Sequence, residues 1–211
     1  MKTDALIELL ARDAGPAPRA LAARRLSPAA LGGGLLSAVV AIALFGAVPW
    51  SSFSAFGTWL KLGYAVVLAA AAGWLTARLS RPAARFRPQQ WLTVAVVGVM
   101  AVIGLAAWWA TPADARAQAV FGSSWLSCPW RVLLLSLPAL AAALWAVRGL
   151  APTRPGAAGF AAGLLAGAVG AFGYALSCPE SSPAFVAVWY TSGVLLTGAL
   201  GAALGPRCLR W

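Results

Sequence analysis

The sequence predicts an all-α protein: a polytopic bundle of six transmembrane helices, preceded by a short cytoplasmic amphipathic helix. Three observations lead there. The chain is 61% hydrophobic and only 10% charged, whereas a soluble domain carries about 25% charged residues. Six stretches, near 30–50, 58–78, 91–110, 131–148, 157–177 and 185–205, approach the roughly 20 apolar residues needed to cross a bilayer. The basic residues are divided very unevenly between alternate gaps.

The N-terminal segment, residues 1–28, forms one unit, and residues 29–211 form the membrane domain. In "MKTDALIELLARDAG", Thr3 can cap a helix, Asp4 and Glu8 favour its early turns, and Gly15-Pro16 ends it. Leu6, Ile7 and Leu10 share one face opposite Asp4, Glu8 and Arg12. A dozen residues are marginal as a helix alone in water, so the apolar face seeks a partner. An interfacial helix usually has a basic polar face. Because this one carries acids, a protein groove suits it better, with Leu6, Ile7, Leu9 and Leu10 as candidate contacts. An acidic leader of this kind is also a poor signal peptide.

With the N-terminus in the cytoplasm, that side receives Lys2, Arg12, Arg19, Arg24 and Arg25, then Arg78, Arg81, Arg85 and Arg87. Arg148, Arg154, Arg207 and Arg210 follow, making 13 of the 16 basic residues. Lys61, Arg116 and Arg131 are left outside, with Lys61 close enough to the interface to snorkel. Both termini then lie inside. The formal charge of +11 is accounted for by topology and attraction to anionic membrane lipid, so no direct nucleic-acid contact is expected. Trp50, Trp59, Trp91, Trp108, Trp109, Trp125 and Trp130 mark membrane boundaries. In span 5, Gly159, Gly163 and Gly167 recur every four residues, and span 6 carries Gly198, Gly201 and Gly205. Such stripes let helix backbones approach closely.

The tetrapeptide "LSCP" occurs twice, at 126–129 and 176–179. The topology puts Cys128 at the outer start of span 4 and Cys178 at the outer end of span 5. Pro129 is suited to the first helical position, while Pro179 stops a helix. Cys128 reads as the attacking thiol and Cys178 as its resolving partner. A short inner loop, "RGLAPTRPG", joins the two spans and favours their packing side by side. Cys208 lies on the opposite face, about 30 Å of hydrocarbon away. Three readings stay open for the pair: a structural disulfide in an oxidising periplasm, a redox or soft-metal switch, and two unrelated buried thiols. There is no CxxC motif.

No histidine is present and no Asp or Glu falls within a span, which argues against an enzyme, a resident metal centre or proton-coupled transport. No cofactor is expected beyond a transient soft metal ion at Cys128 and Cys178. The alternative is a small multi-span transporter or channel for a thiophilic metal ion.

Several stretches resemble one family. "MKTDALIELLA", "CPWRVLLLSLP", "LAPTRPGAAGFAAGLLAGAVGAFGYALSCPE", "FVAVWY" and "GALGAALGPRCLRW", with six spans between the ends, are similar to the NrsF-like transmembrane anti-sigma factors. These are negative regulators of an extracytoplasmic-function sigma factor. The resemblance runs over nearly the whole chain and is most specific from Cys128 to Trp211. It implies a multi-pass protein of the bacterial inner membrane whose cytoplasmic N-terminal segment holds the sigma factor. It also implies a membrane domain that senses envelope stress, with Cys128 and Cys178 in the places of the family's paired cysteines. Cys208 falls in the C-terminal motif with no role attached.

Overall fold

The structure, a computed structural model, describes Thr3, Ile7, Glu8, residues 21–81 and residues 88–210. The described residues are helical or irregular, without strands. The helices are α1 (Leu21–Phe45), α2 (Phe56–Leu79), α3 (Pro88–Ala110), the short α4 (Arg116–Phe121), α5 (Cys128–Arg148), α6 (Pro155–Ala175) and α7 (Pro183–Cys208). A 3₁₀ turn, Trp50–Ser54, lies between α1 and α2, and a π-helical turn, Val186–Tyr190, lies within α7. All but α4 are long and apolar enough to cross a membrane.

One helix departs from its apolar run at both ends. Helix α1 starts at Leu21, nine residues before the predicted span, so the boundary drawn at residue 28 falls inside a helix. Once an apolar segment is helical, adding further turns is easy, and Arg24 and Arg25 can extend it beyond the hydrocarbon. At its other end α1 stops at Phe45, because Gly46 turns the backbone with φ +79°. The amphipathic leader is represented by Thr3, Ile7 and Glu8, all helical and exposed. Of the candidate partner contacts, Ile7 is 59% exposed, and Leu6, Leu9 and Leu10 lie outside the described residues.

Helix α6 forms the centre of the bundle. It is buried along nearly its whole length and packs against α1, α2, α5 and α7. Small residues make this possible. A methyl group added at Gly159, Gly163 or Gly167 would collide with the backbone of α7 at Gly201, Thr197 or Val194. On the other sides, Gly170 abuts Ser136 of α5 and Gly173 abuts Ser37 of α1. The glycine stripe seen in the sequence is thus the α6–α7 contact, with dispersion across close backbones replacing a hydrophobic driving force that lipid does not supply. Inside this apolar packing, Ser136 and Thr197 hydrogen-bond each other at 3.0 Å. Tyr64 and Thr191 do the same at 2.8 Å. Exposed tryptophans, including Trp50, Trp59, Trp91, Trp109 and Trp130, lie close to helix ends.

Candidate functional site

The bundle has two unlike ends. At the terminal end, α1 begins and α7 stops. At the far end, α1 hands over to α2, α3 to α5, and α6 to α7. The loop after α1 is tied to the loop after α6 there by the Val48 amide, which donates to the Leu176 carbonyl at 2.9 Å.

Both "LSCP" stretches meet at the far end. Cys128 is the first residue of α5, followed by Pro129, and Cys178 lies three residues past the end of α6. Each cysteine is 0% exposed, and neither is in a disulfide. Cys128 is an electrostatic neighbour of Cys178, Arg131, Glu180 and Lys61, and Lys61 is a neighbour of both cysteines. Cys208 is exposed, near the end of α7. The bundle therefore brings together the two cysteines singled out by sequence and leaves the third apart. The unlike roles expected of the two thiols rest on the helix dipole, which favours a thiolate at the start of α5 and disfavours one at the end of α6. In the structure the Cys128 amide already donates to Ser124 O at 2.9 Å, and the thiol is sealed from solvent.

A lysine pins the segment that carries Cys178. Lys61, in the second turn of α2, is 1% exposed, so its head does not snorkel to an interface. Its ammonium donates to the backbone carbonyls of Cys178 and, at 3.2 Å, Glu180. A buried ammonium is tolerated only where hydrogen bonds replace its hydration, and these two carbonyls supply them. The start of α2 lies hard against the same segment, since a Cβ on Gly57 would strike the Ser181 carbonyl.

Glu180 makes the complementary link toward Cys128. One carboxylate oxygen accepts from the Ser123 amide and the Ser123 hydroxyl, both at 2.7 Å. Gly122 permits this approach twice over. Its φ of +52° is a left-handed conformation, and any Cβ there would lie 2.6 Å from the Glu180 carboxylate. Two short chain segments, 122–128 and 174–180, are thereby bonded side by side, each carrying one cysteine. Neighbouring hydrogen bonds stiffen the pair: Ser182 Oγ donates to Ala119 O at 2.7 Å, and Trp189 Nε1 donates to Val120 O at 2.9 Å.

An aromatic wall completes the site. The rings of Tyr174 and Tyr190 are 5.8 Å apart, and Phe45 and Phe185 meet them edge-on. Arg131, one turn after Cys128, lies over the Phe45 ring at 4.4 Å and donates to the Tyr174 hydroxyl at 3.5 Å. Three buried hydroxyls nearby, on Ser124, Ser177 and Tyr190, have no hydrogen-bond partner among the described residues. Tyr190 has the Cys178 thiol as its polar neighbour, at a geometry short of a hydrogen bond.

Chemically, the arrangement offers two buried thiols and a buried, hydrogen-bonded lysine amine. No group of three or more His, Cys, Asp or Glu residues able to hold a metal exists among the described residues. A four-coordinate zinc site is therefore not built from protein ligands here. Two thiols suit a disulfide or a soft ion of low coordination number. Lys61 and Glu180 were not singled out in the sequence as parts of this site. Glu180 had one available signal, as one of only five acidic residues, placed two positions after Cys178. Lys61 had another, as one of three basic residues on the sparsely charged side.

Comparison with known proteins covers the whole chain. The family model described as NrsF, negative regulator of sigma F, matches residues 10–211. The anti-sigma-F factor NrsF of Caulobacter vibrioides (strain NA1000 / CB15N) is 42% identical over 215 residues, with both chains fully covered. The probable anti-sigma-F factor NrsF of Azospira oryzae (strain ATCC BAA-33 / DSM 13638 / PS) is 39% identical over 218 residues, again with full coverage of both. No solved structure matches.

Proposed function

The chain belongs to the NrsF family, negative regulators of sigma F, and from that premise we propose that it is a multi-pass anti-sigma factor of the bacterial inner membrane. Both termini are cytoplasmic, and the N-terminal segment holds an extracytoplasmic-function sigma factor. The far end is periplasmic and senses envelope stress through Cys128 and Cys178. The chain is a regulator rather than an enzyme.

The observation that carries this reading is the placement of the two cysteines. Both are buried at the end opposite the start of α1, on two segments joined through Glu180 and Ser123, with Lys61 pinning the Cys178 segment. The arginines that open α1 and close α5 and α7 gather at the terminal end, which supports a cytoplasmic location for that end.

The sensing step is a change at two sulfurs. Oxidation joins Sγ of Cys128 to Sγ of Cys178, releases two protons, and passes two electrons to a thiol oxidant of the periplasm. Soft-metal binding also releases two protons but no electrons. Either event changes the spacing of the segments that begin α5 and follow α6. Helix α6 cannot yield locally, because its glycines rest on the backbones of α7, α5 and α1. It moves as a rod, and the motion reaches the terminal end. Release then requires that the two packings differ in affinity for the sigma factor, by about 1.4 kcal/mol for each tenfold. The filled position of α6 at the bundle centre favours a signalling bundle over a conduit for metal ions.

The test pairs two measurements on the full chain. A sigma factor is expected to co-purify from solubilised membranes of unstressed cells and to be lost after stress. Thiol trapping in the same samples is expected to show Cys128 and Cys178 reduced before stress and blocked after it. Loss of the sigma factor with both thiols still free would remove the cysteine pair from the mechanism.

A further inference from the structure

The terminal end carries a second built feature. Arg24 and Arg25 in the early turns of α1, Arg148 at the end of α5 and Arg210 after α7 line one cavity of about 920 Å³. None of the four has a hydrogen-bond, ion-pair or ring partner among the described residues. Most of the remaining wall is apolar, including Ala142, Trp145, Ala146 and the buried Leu209. Four positive charges converging on one hollow, with no acid among the described residues that line it, are electrostatically incomplete.

A second hollow of about 620 Å³ shares Trp145 and Arg148 with the first; Arg207 and Cys208 of α7 line its charged end, and from there it runs along α5 past Leu144 and Ala141 to Leu137. From Arg148 to Leu137 the helix rises about 16 Å. One leaflet of hydrocarbon is about 15 Å deep, half the thickness of the apolar core. The charged hollow thus adjoins a groove that is basic at its mouth, apolar below it, and reaches one leaflet deep.

We propose that this is a binding site for an anionic phospholipid, in addition to the partner the family reading supplies. The phosphodiester sits among Arg24, Arg25, Arg148 and Arg210. One acyl chain lies in the groove lined by Leu137, Ala141 and Leu144. The groove identifies the occupant, because an acidic protein segment would use the arginines but has no need of an apolar channel reaching the bilayer centre. The bound lipid ties α1, α5 and α7 together at the end where α1 begins, setting where the N-terminal segment leaves the membrane.

The proposal rests on the membrane reading, and the test separates the two. The full chain is placed in phosphatidylcholine bilayers with increasing phosphatidylglycerol. Thermal unfolding is followed, and retained lipid is counted by native mass spectrometry. Phosphatidylglycerol is expected to raise the transition and to be retained in preference to phosphatidylcholine, whereas soluble glycerophosphate at equal concentration does neither. Each basic residue contributes roughly fivefold to anionic-lipid affinity. The triple variant Arg25→Gln/Arg148→Gln/Arg210→Gln should therefore lose at least tenfold. Ala141→Trp keeps every arginine but fills the groove, and should lose a comparable amount. The unfolding of each variant in phosphatidylcholine alone reports whether it folds. An undiminished preference in either variant, or an equal effect of glycerophosphate, overturns the lipid site. Failure of the chain to enter bilayers at all would sink the membrane reading itself.

Discussion

The two ends of this bundle treat charge in opposite ways. At the far end, Lys61 is buried and hydrogen-bonded to two backbone carbonyls, and Glu180 is bonded to Ser123. At the terminal end, Arg24, Arg25, Arg148 and Arg210 stand around an open hollow with no partner among the described residues. Charge enclosed with its partners fixes geometry, because removing one partner strands the other in a medium that cannot solvate it. Charge left open at a membrane boundary fixes orientation and recruits what the chain lacks. A sensor needs the first kind of construction and an output surface the second. This division agrees with a cysteine pair at one end and a partner-binding segment at the other.

The largest expected effect follows from separating the two ends. Replacing Leu6 and Leu10 by Asp puts two charges on the apolar face of the leader, at a cost of several kcal/mol to any groove that buries it. Transcription of the sigma factor's targets should become constitutive, at normal protein levels and without stress. Cys128→Ser or Cys178→Ser should do the reverse, holding transcription at its basal level under stress, while Cys208→Ser changes nothing. If the leader variant keeps normal repression, the terminal end grips the sigma factor elsewhere. If a cysteine variant still responds, the far end is merely structural.

A smaller effect tests whether Lys61 is what holds the Cys178 segment in place. Lys61→Met preserves the apolar stem and removes the ammonium, leaving the carbonyls of Cys178 and Glu180 without their donor. An unpaired buried carbonyl costs about 1–3 kcal/mol, partly offset by no longer burying a charge. The 176–180 segment should then open more often. In a Cys208→Ser background, maleimide labelling of Cys178 should accelerate about tenfold, corresponding to roughly 1.4 kcal/mol of local opening. Unchanged labelling would mean that the segment is held by packing alone, through Gly57 and Ser181.

How far the sequence discloses these arrangements depends on range. The glycine stripe of α6, the arginine-rich gaps and the boundary position of both cysteines are local or periodic features, and each is readable as written. The enclosure of Lys61 is different. Five residues into a helix, a lysine reads as interfacial, and only the segment folding over it from 117 positions away decides that its head is buried. Glu180 is similarly opaque, because its partner Ser123 is 57 residues distant and its approach depends on the backbone of Gly122. The early start of α1 was missed because its first turns are charged, and hydropathy registers hydrocarbon depth rather than helix length.

The smallest expected effect makes the sharpest use of the comparison, since it alters charge at the far end while keeping shape. Glu180→Gln retains an oxygen able to accept from the Ser123 amide and hydroxyl, so the link between the two cysteine segments survives. What is lost is the charge assistance, which separates a hydrogen bond of about 1.5–3 kcal/mol from one of about 0.5–1.5. Glu180 is only partly buried, and solvent screening reduces even that difference. The net change should be about 1 kcal/mol or less, a fall of about 2–4 °C in the unfolding midpoint for a chain of this size. Labelling of Cys128 and Cys178 in the Cys208→Ser background should stay within about twofold of the parent. Glu180→Ala, which deletes the acceptor, should accelerate both. If Gln and Ala behave alike, the carboxylate acts through its charge rather than as the clasp described above. The enclosed end would then depend on the balance between Lys61 and Glu180, and Lys61→Met combined with Glu180→Gln would be milder than either change alone.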